Sequence, residues 1–393
     1  MKTLSTMKLT GKRVFLRVDF NVPLKGTKIT DDLRIQNALP TIRKILAAKP
    51  EQLIIATHLG RPEPGKGSAG LLPYSLAPVA KHLSKLLKKT IYFHANALAP
   101  IESKDKIVLL ENLRFYDGEK NGSLSFAKTL ASHADIYIDD AFGTAHRKDA
   151  SVYALAKLLP SGIGLLMEQE LRYVSLDHKR PIVAIFGAAK IKDKLPLFKK
   201  LLAKVDKLIL GGGVVFTFLK AGGIEVGKSL VEEEMVSEAR TLLKKYAGKI
   251  VFPTDFVGST PASFKNWIKL SATEKKAALK TVPVEAIPKT LACYDVGPKS
   301  VKLFTAVLKN AKTVVWNGPL GVFEVKPYDA STNKLVKIIA ESKITSIVGG
   351  GDTASAVRKT KYANRFTHIS TGGGASLELL AGNKLPAIEV LKR

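Results

Sequence analysis

Acidic residues are scarce in this 393-residue chain: 34 Asp and Glu stand against 62 Lys and Arg, a formal net charge of +28. Such an excess raises nucleic acid or another polyanion as a partner. The placement of the cations argues against it. Lys81, Lys85, Lys88 and Lys89, and again Lys199, Lys200 and Lys204, fall on the polar faces of helical segments. There is no basic tail and no interleaved aromatic platform for stacking bases. The charge is better read as a field that draws small anionic substrates, with nucleic-acid contact nonspecific and limited to low salt. A single cysteine, Cys293, excludes an intramolecular disulfide. No stretch reaches the roughly 18 apolar residues of a membrane span. The first residues, Met1 to Lys8, lack the apolar core of a signal peptide, so a cytoplasmic protein without a membrane partner is expected. The seven histidines have no metal-ligand spacing, which argues against a zinc site. Asp139 and Asp140 are adjacent, point to opposite faces of a strand, and make a poor acid/base dyad.

What is present is globular: 46% hydrophobic and 24% charged residues, without low-complexity tracts or fixed-period repeats. The length suggests two domains, each able to bury its own core. In the first half, Lys12–Asp19, Leu53–Thr57, Ile107–Leu110 and Ile136–Asp139 read as strands, separated by segments of helical spacing. Tyr74–Lys89 is the clearest helix, with Leu76, Val79, Ala80, Leu83, Leu86 and Leu87 on one face. Strands alternating with helices imply a mostly parallel sheet that binds ligands at the strands' C-terminal ends. Arg17, Arg34, Arg61, Arg114 and Arg147 fall at or just beyond those ends, with His58 beside them. Each alone reads as a surface residue, but together they describe a pocket for a small, highly anionic molecule. A breaker cluster at Pro160–Gly164, a helix over Leu165–Asp177 and a second break at His178–Pro181 mark either a domain junction or an ordinary surface helix.

Glycine usage changes after that point. Gly211–Gly213, Gly349–Gly351 and Gly372–Gly374 each follow a strand-like run and precede a helical one, the setting in which backbone N–H groups meet a phosphate. Asp352, next to the second triplet, either caps a helix or holds Mg²⁺ against phosphates. Lys190 and Lys194 would lie one turn apart if a helix starts directly after the strand Ile182–Phe186. In the loop Trp316–Glu324, the lone carboxylate of Glu324 suits ribose hydroxyls. Gly222–Ser229 matches the P-loop pattern letter for letter, but it follows a helix rather than a strand and runs into three glutamates. Lys228 is therefore expected to be a solvated surface charge.

Several of these stretches, in this order, resemble phosphoglycerate kinases: Arg17–Pro23, His58–Pro62, Leu109–Phe115, Asp140–Arg147, Trp316–Glu324, Gly349–Thr353 and Ser370–Glu378, within a match running from about Gly11 to about Pro386. The resemblance implies an α/β protein of two Rossmann-like domains, each a mostly parallel sheet with flanking helices, joined by a hinge helix. Residues 1–164 would bind 3-phosphoglycerate or 1,3-bisphosphoglycerate through Asp19, Asn21, Arg34, His58, Arg61, Arg114 and Arg147. Residues 165–180 would be the hinge, and 382–393 would return to the first domain. Residues 181–381 would bind Mg-ATP or Mg-ADP through Lys190, Lys194, Gly212, Asn317, Glu324, Gly351, Asp352, Thr353, Gly372 and Gly373, with Asp352 toward the metal. Arg34, Lys194, Gly350 and Gly373 would attend the migrating phosphoryl group. A monomer with no specific nucleic-acid partner is implied. Departures from the family pattern include Ala188, where glycine is usual, Gln36 in place of a frequent arginine, the loop after Arg147, and a short loop over Asp117–Ser123. A scaffold that keeps the fold and binds nucleotide or nucleic acid without catalysis is the alternative, and coupled turnover separates the two.

Overall fold

The computed structural model describes residues 1–63, 72–174 and 177–392, and the chain divides into two compact units, Met1–Arg172 with Asn383–Arg393, and Tyr173–Gly382. In the first unit a six-stranded parallel sheet has the order β3-β4-β2-β1-β5-β6, where β1 is Arg13–Arg17, β2 Gln52–Ala56, β3 Tyr92–His94, β4 Ile107–Leu110, β5 Ile136–Asp139 and β6 Ser161–Ile163. A parallel sheet covered on both faces demands apolar residues at successive positions. The sequence supplies them: every residue of β4 and β5 is buried. Helices α1 (Leu33–Ala47) and α2 (Ala77–Leu87) contribute Ile35, Leu39, Ile42, Val79 and Leu83 to the core that also holds Val14, Leu16, Leu53 and Ile138. α2 is shorter than the expected Tyr74–Lys89. Pro78 sits at the start, where a missing N–H costs nothing, and Lys88 takes a left-handed conformation that ends the helix. The C-terminal helix Pro386–Leu391 belongs to this unit, where the Ala387 N–H donates to the Ala145 carbonyl at 3.2 Å.

The helix after the breaker cluster, α3 (Leu165–Tyr173), is also shorter than expected, and positions 175–176 of the expected span lie outside the described residues. Its first turn is fastened by Thr41, whose hydroxyl accepts from the Leu165 N–H at 2.9 Å, and by Asp140, whose Oδ1 accepts from the Met167 N–H at 3.0 Å.

The second unit has a six-stranded parallel sheet of order β9-β8-β7-β13-β14-β15, with β7 Ile182–Gly187, β8 Lys207–Gly211, β9 Ile250–Val251, β13 Thr313–Asn317, β14 Thr345–Gly349 and β15 His368–Ile369. Between β9 and β13 the chain makes a separate antiparallel sheet of order β11-β10-β12, from Asp255–Ser259 (β10), Lys280–Pro283 (β11) and Ala292–Val296 (β12). This sheet was not expected from the sequence, because its short strands show no sustained alternation. The glycine triplets lie between strand and helix as their context implies: β8 and Val214–Ala221, β14 and Gly351–Arg358, β15 and Gly374–Leu380.

Candidate functional site

The arginines of the first unit gather at the C-terminal ends of its strands. Arg17 ends β1, His58 follows β2, Arg114 follows β4 and Arg147 follows β5. Asp19 accepts from Arg34 Nη1 and from the Asn21 N–H, and Asn21 Oδ1 accepts from the Gly60 N–H at 2.8 Å. Gly60 has φ +62°, and a Cβ there would meet the Tyr74 ring, so only glycine fits this turn. Asn112, which sequence reasoning did not single out as a site residue, uses its whole amide here. Its Oδ1 accepts from the Leu59 and Arg114 N–H groups, and its Nδ2 donates to the Leu59 and Tyr74 carbonyls. One side chain thus fixes both the His58–Arg61 turn and the backbone of Arg114.

Arg114 is the most informative group of this set. It is 2% exposed, its Nη1 donates to the Gly60 carbonyl at 2.6 Å, and its Nε and Nη2 have no hydrogen-bond partner among the described residues. Buried polar atoms without partners are costly, so two orphaned guanidinium N–H sites mark where an anion belongs. Burial lowers the Arg114 pKa to about 10, and Arg147 adds to the effect, which leaves it charged at neutral pH. Burial pushes the Asp19 carboxyl up, but Arg34, His58, the Asn21 N–H and Arg17 together hold it below its ordinary value. His58 falls well below the usual imidazole range, first through burial, with Arg17, Arg114 and Arg147 adding to this and Asp19 opposing it. It is neutral at pH 7. Arg61 is exposed, and Arg34 and Arg147 are partly exposed.

Asp139 and Asp140 do not form a dyad: Asp139 Oδ1 accepts from the Ala141 N–H, while Asp140 Oδ1 accepts from the Met167 N–H of α3. Burial raises them to about 6 and about 7. A carboxyl whose folded pKa lies above its unfolded value retains its proton in the fold while the unfolded chain loses it. Its contribution to stability is therefore present at low pH and falls as pH rises from about 4 to about 7. Asp140→Asn cannot titrate. The stability difference between wild type and this variant should shift by on the order of 3 kcal/mol between pH 4.5 and 7.5, in the variant's favour at the higher pH. Thermal unfolding of both chains across that range checks it, and parallel curves would contradict the assignment.

In the second unit a cavity of about 520 Å³ is lined by the ends of β7 and β8, the loop after β13 and the first turn of the helix Gly351–Arg358. Lys194, Gly212, Glu324 and Asp352 lie on its wall. Asn317 and Thr353 stand behind it. Lys194 Nζ reaches Asn317 Oδ1 at 3.4 Å, Asn317 Nδ2 donates to the Gly349 carbonyl at 3.0 Å, and Thr353 Oγ1 accepts from the Gly318 N–H. Gly318 has φ +89°, and any Cβ would collide with the Gly187 carbonyl, so the loop closes against β7 only as glycine. Gly350, the residue before the helix, has φ +88°, and Gly373 holds the same place before the last glycine-rich helix with φ +51°. Lys190, Gly350, Gly351, Gly372 and Gly373 are not on the cavity wall.

One expectation is corrected here. The helix after β7 does not start at once: a loop and a short 3₁₀ turn, Lys192–Lys194, precede Leu195–Lys204, so Lys190 and Lys194 are not one helical turn apart. Pro196 explains this, since it is tolerated only in a helix's first turn. The P-loop look-alike does follow a helix, Val214–Ala221, and Lys228 is exposed as expected, though it also lines the same cavity as Lys194. The three glutamates have partners within the unit: Glu232 accepts from the Ile191 and Lys192 N–H groups, Glu233 from Lys220, and Glu234 lies near Lys192.

Part of the cavity wall is apolar and aromatic, with Phe256, Phe264, Tyr294 and Phe323. Phe264 and Tyr294 stack with ring centroids 3.8 Å apart. A charged end beside an aromatic end suits a molecule with phosphates at one end and a flat base at the other. These aromatics were missed because they come from distant elements with no common spacing. Cys293 is buried here, and burial lifts its thiol to about 11, so it stays protonated at neutral pH.

Among the described residues no group of three or more His, Cys, Asp or Glu could enclose a metal. Three carboxylates line the cavity, Asp295, Glu324 and Asp352, and Asp352 in the first turn of its helix would suit Mg²⁺, which is commonly held by one or two carboxylates, water and the substrate's own phosphates. No helix among the described residues is long and apolar enough to cross a membrane.

A family model described as phosphoglycerate kinase matches residues 4–383. Curated relatives include a phosphoglycerate kinase of Rubrobacter xylanophilus, 43% identical over 99% of this chain and 98% of that protein. Another is a cytosolic phosphoglycerate kinase of Triticum aestivum, 45% identical over 99% of this chain and 97% of that protein. Among solved structures, phosphoglycerate kinase from Coxiella burnetii is similar with a TM-score of 0.89 at 38% identity, covering 100% of this chain and 98% of that one. The Pyrococcus horikoshii enzyme gives 0.83 at 29% identity, covering 100% and 98%.

Proposed function

From the premise that the chain belongs to the phosphoglycerate kinase family, we propose a division of labour within its reaction, the reversible phosphoryl transfer between 1,3-bisphosphoglycerate and ADP that gives 3-phosphoglycerate and ATP. Residues 1–164 hold the acid substrate through Asp19, Asn21, Arg34, His58, Arg61, Arg114 and Arg147. Residues 181–381 hold the nucleotide, with Lys194, Asn317, Glu324, Asp352 and Thr353 at or behind the cavity and Lys190, Gly212, Gly351, Gly372 and Gly373 as further contacts. The observation that carries the reading is the buried Arg114 guanidinium with two unpartnered sites, a receptor for an anion in the unit that lacks the aromatic cavity.

In the direction that makes ATP the leaving group is a carboxylate, and in reverse the nucleophile is a carboxylate already ionised at pH 7. No general base is required, and a neutral His58 is consistent with that. What the transfer needs is positioning and positive charge around the migrating phosphoryl oxygens. Arg34 supplies it on the acid side and Lys194 on the nucleotide side, with the backbone N–H groups of Gly350 and Gly373 assisting. Asp352 would hold Mg²⁺, whose part when bound is to neutralise phosphate charge. Each unit holds one reactant, so turnover requires both to be loaded. The chain acts as a monomer and in the cytoplasm, the latter in keeping with the cytosolic relative of Triticum aestivum.

A coupled assay with 3-phosphoglycerate and Mg-ATP tests the activity, and no turnover would favour the scaffold alternative. Arg34→Ala and Arg61→Ala should each raise KM for 3-phosphoglycerate roughly 10- to 150-fold, the value of a charge-assisted contact of about 1.5 to 3 kcal/mol. KM for the nucleotide should barely change. A large rise in nucleotide KM with an unaltered acid KM would reverse the assignment of the two units.

A further inference from the structure

Arg17 was grouped with the substrate arginines by its place in the sequence, but it is fully buried and each of its three side-chain nitrogens has a hydrogen-bond partner within the unit. Its Nε donates to Ser151 Oγ at 2.8 Å, its Nη1 to the Val18 carbonyl, and its Nη2 lies 3.3 Å from His58 Nδ1. Ser151 in turn donates to Glu119, Oγ to Oε1 at 2.6 Å and N–H to Oε2 at 2.9 Å. Glu119 Oε1 also lies 3.8 Å from Arg17 Nη2. The four residues come from four places: the end of β1, the turn after β2, the short helix Asp117–Lys120 and the turn Ala150–Ala154. All are buried, so the set is a built network rather than a chance surface contact.

A guanidinium has donors only. The nitrogen that faces it, His58 Nδ1, must therefore accept, and a neutral imidazole then carries its proton on Nε2. No described residue is hydrogen-bonded to Nε2. We infer that Glu119 and Ser151, acting through Arg17, are positioning residues that fix His58 as its Nε2–H tautomer, a neutral and directed donor toward the acid substrate. The inference rests on the reading of this unit as the acid-binding one.

The alternatives are disfavoured by the same geometry. A proton on Nδ1 would set donor against donor at Arg17 and turn a lone pair toward the oxygens of an anionic ligand. A doubly protonated ring would add a cation among Arg17, Arg114 and Arg147, with only Asp19 nearby to offset it. The carboxylate of Glu119 balances Arg17 and holds its plane through Ser151, which leaves Nη2 aimed at the imidazole. Glu119 lies within the short loop noted as a departure from the family pattern.

Nitrogen NMR of protein labelled at histidine reads the tautomer directly, with the His58 ring assigned by its loss in His58→Gln. The free wild-type protein should show an unprotonated Nδ1 and a protonated Nε2 at pH 7, and adding 3-phosphoglycerate should shift Nε2. A wild-type ring protonated on Nδ1, or on both nitrogens, would overturn the inference without any variant. The variant arm uses Ser151→Ala and the charge-neutral double change Arg17→Met with Glu119→Gln, the latter chosen because it leaves no unpaired buried charge. In either folded variant the two tautomers should mix and KM for 3-phosphoglycerate should rise about 5- to 30-fold, as for loss of one well-placed hydrogen bond. KM for nucleotide should stay within about twofold. A pure Nε2–H tautomer in the double variant would overturn the positioning role. An Nε2–H ring whose signals ignore bound 3-phosphoglycerate would instead overturn the acid-site reading on which the inference stands.

Discussion

Lys194→Ala is expected to lower kcat by about 10³-fold or more, with the arginine finger of other phosphoryl-transfer enzymes as the nearest analogue. Lys194 lies on the cavity wall, held near Asn317 Oδ1, and the Asp352 carboxylate offsets part of the lowering that burial imposes on its ammonium. On the proposed assignment a charge so placed would act on the oxygens of a phosphoryl group in transit, where it is stronger than in water. Lys228→Ala provides the comparison. It lies on the same wall but is exposed, so its loss should raise nucleotide KM a few-fold and leave kcat within about twofold. Steady-state kinetics on the two variants decide the matter. A crippled Lys228→Ala beside a normal Lys194→Ala would overturn the site map.

Asp352→Asn should weaken the metal's hold on the nucleotide by about 10- to 100-fold, the range seen when partners around a metal are lost. The carboxylate lies in the first turn of a helix and on the cavity wall. A helix start already favours the nucleotide's negative charge, so a lone carboxylate there has a use if a cation comes with the phosphates. The readout is the Mg²⁺ concentration for half-maximal rate at fixed ATP. It should move upward in Asp352→Asn while nucleotide binding without Mg²⁺ holds steady or improves, because a repulsive charge has gone. An unchanged Mg²⁺ requirement would make Asp352 a residue of the helix terminus only.

Much of the architecture was legible because parallel strands buried on both faces leave a plain trace. Ile107–Leu110 and Ile136–Asp139 coincide with strands of the structure, and three glycine triplets lie where strands give way to helices. Arginines at strand ends were legible for the same reason, since sheet topology decides where loops gather. Element boundaries were read less well, and two prolines account for much of that. Pro78 and Pro196 both stand at the first turn of their helices, and taking them as start signals would have shortened the first helix and separated Lys190 from Lys194.

The buried network was not legible. Glu119 and Ser151 look like ordinary surface residues in a polar stretch, and only the fold reveals that they are enclosed with Arg17. The same holds for the aromatic wall of Phe256, Phe264 and Tyr294, which the small antiparallel sheet and its flanking helix bring together. Local pattern locates residues that act through the backbone beside them. It gives little warning of groups whose role depends on partners a hundred residues away, as between Arg17 and Ser151.

The division of labour between the two units is tested most directly by crossed calorimetry, in which Arg114→Ala and Lys194→Ala are each titrated with 3-phosphoglycerate and with ADP. Arg114→Ala should lose 3-phosphoglycerate binding by about 10-fold or more, as for a charge-assisted contact, and keep the wild-type affinity for ADP. Lys194→Ala should keep the acid and weaken the nucleotide. Loss of ADP binding in Arg114→Ala with the acid still bound at wild-type affinity would contradict the account.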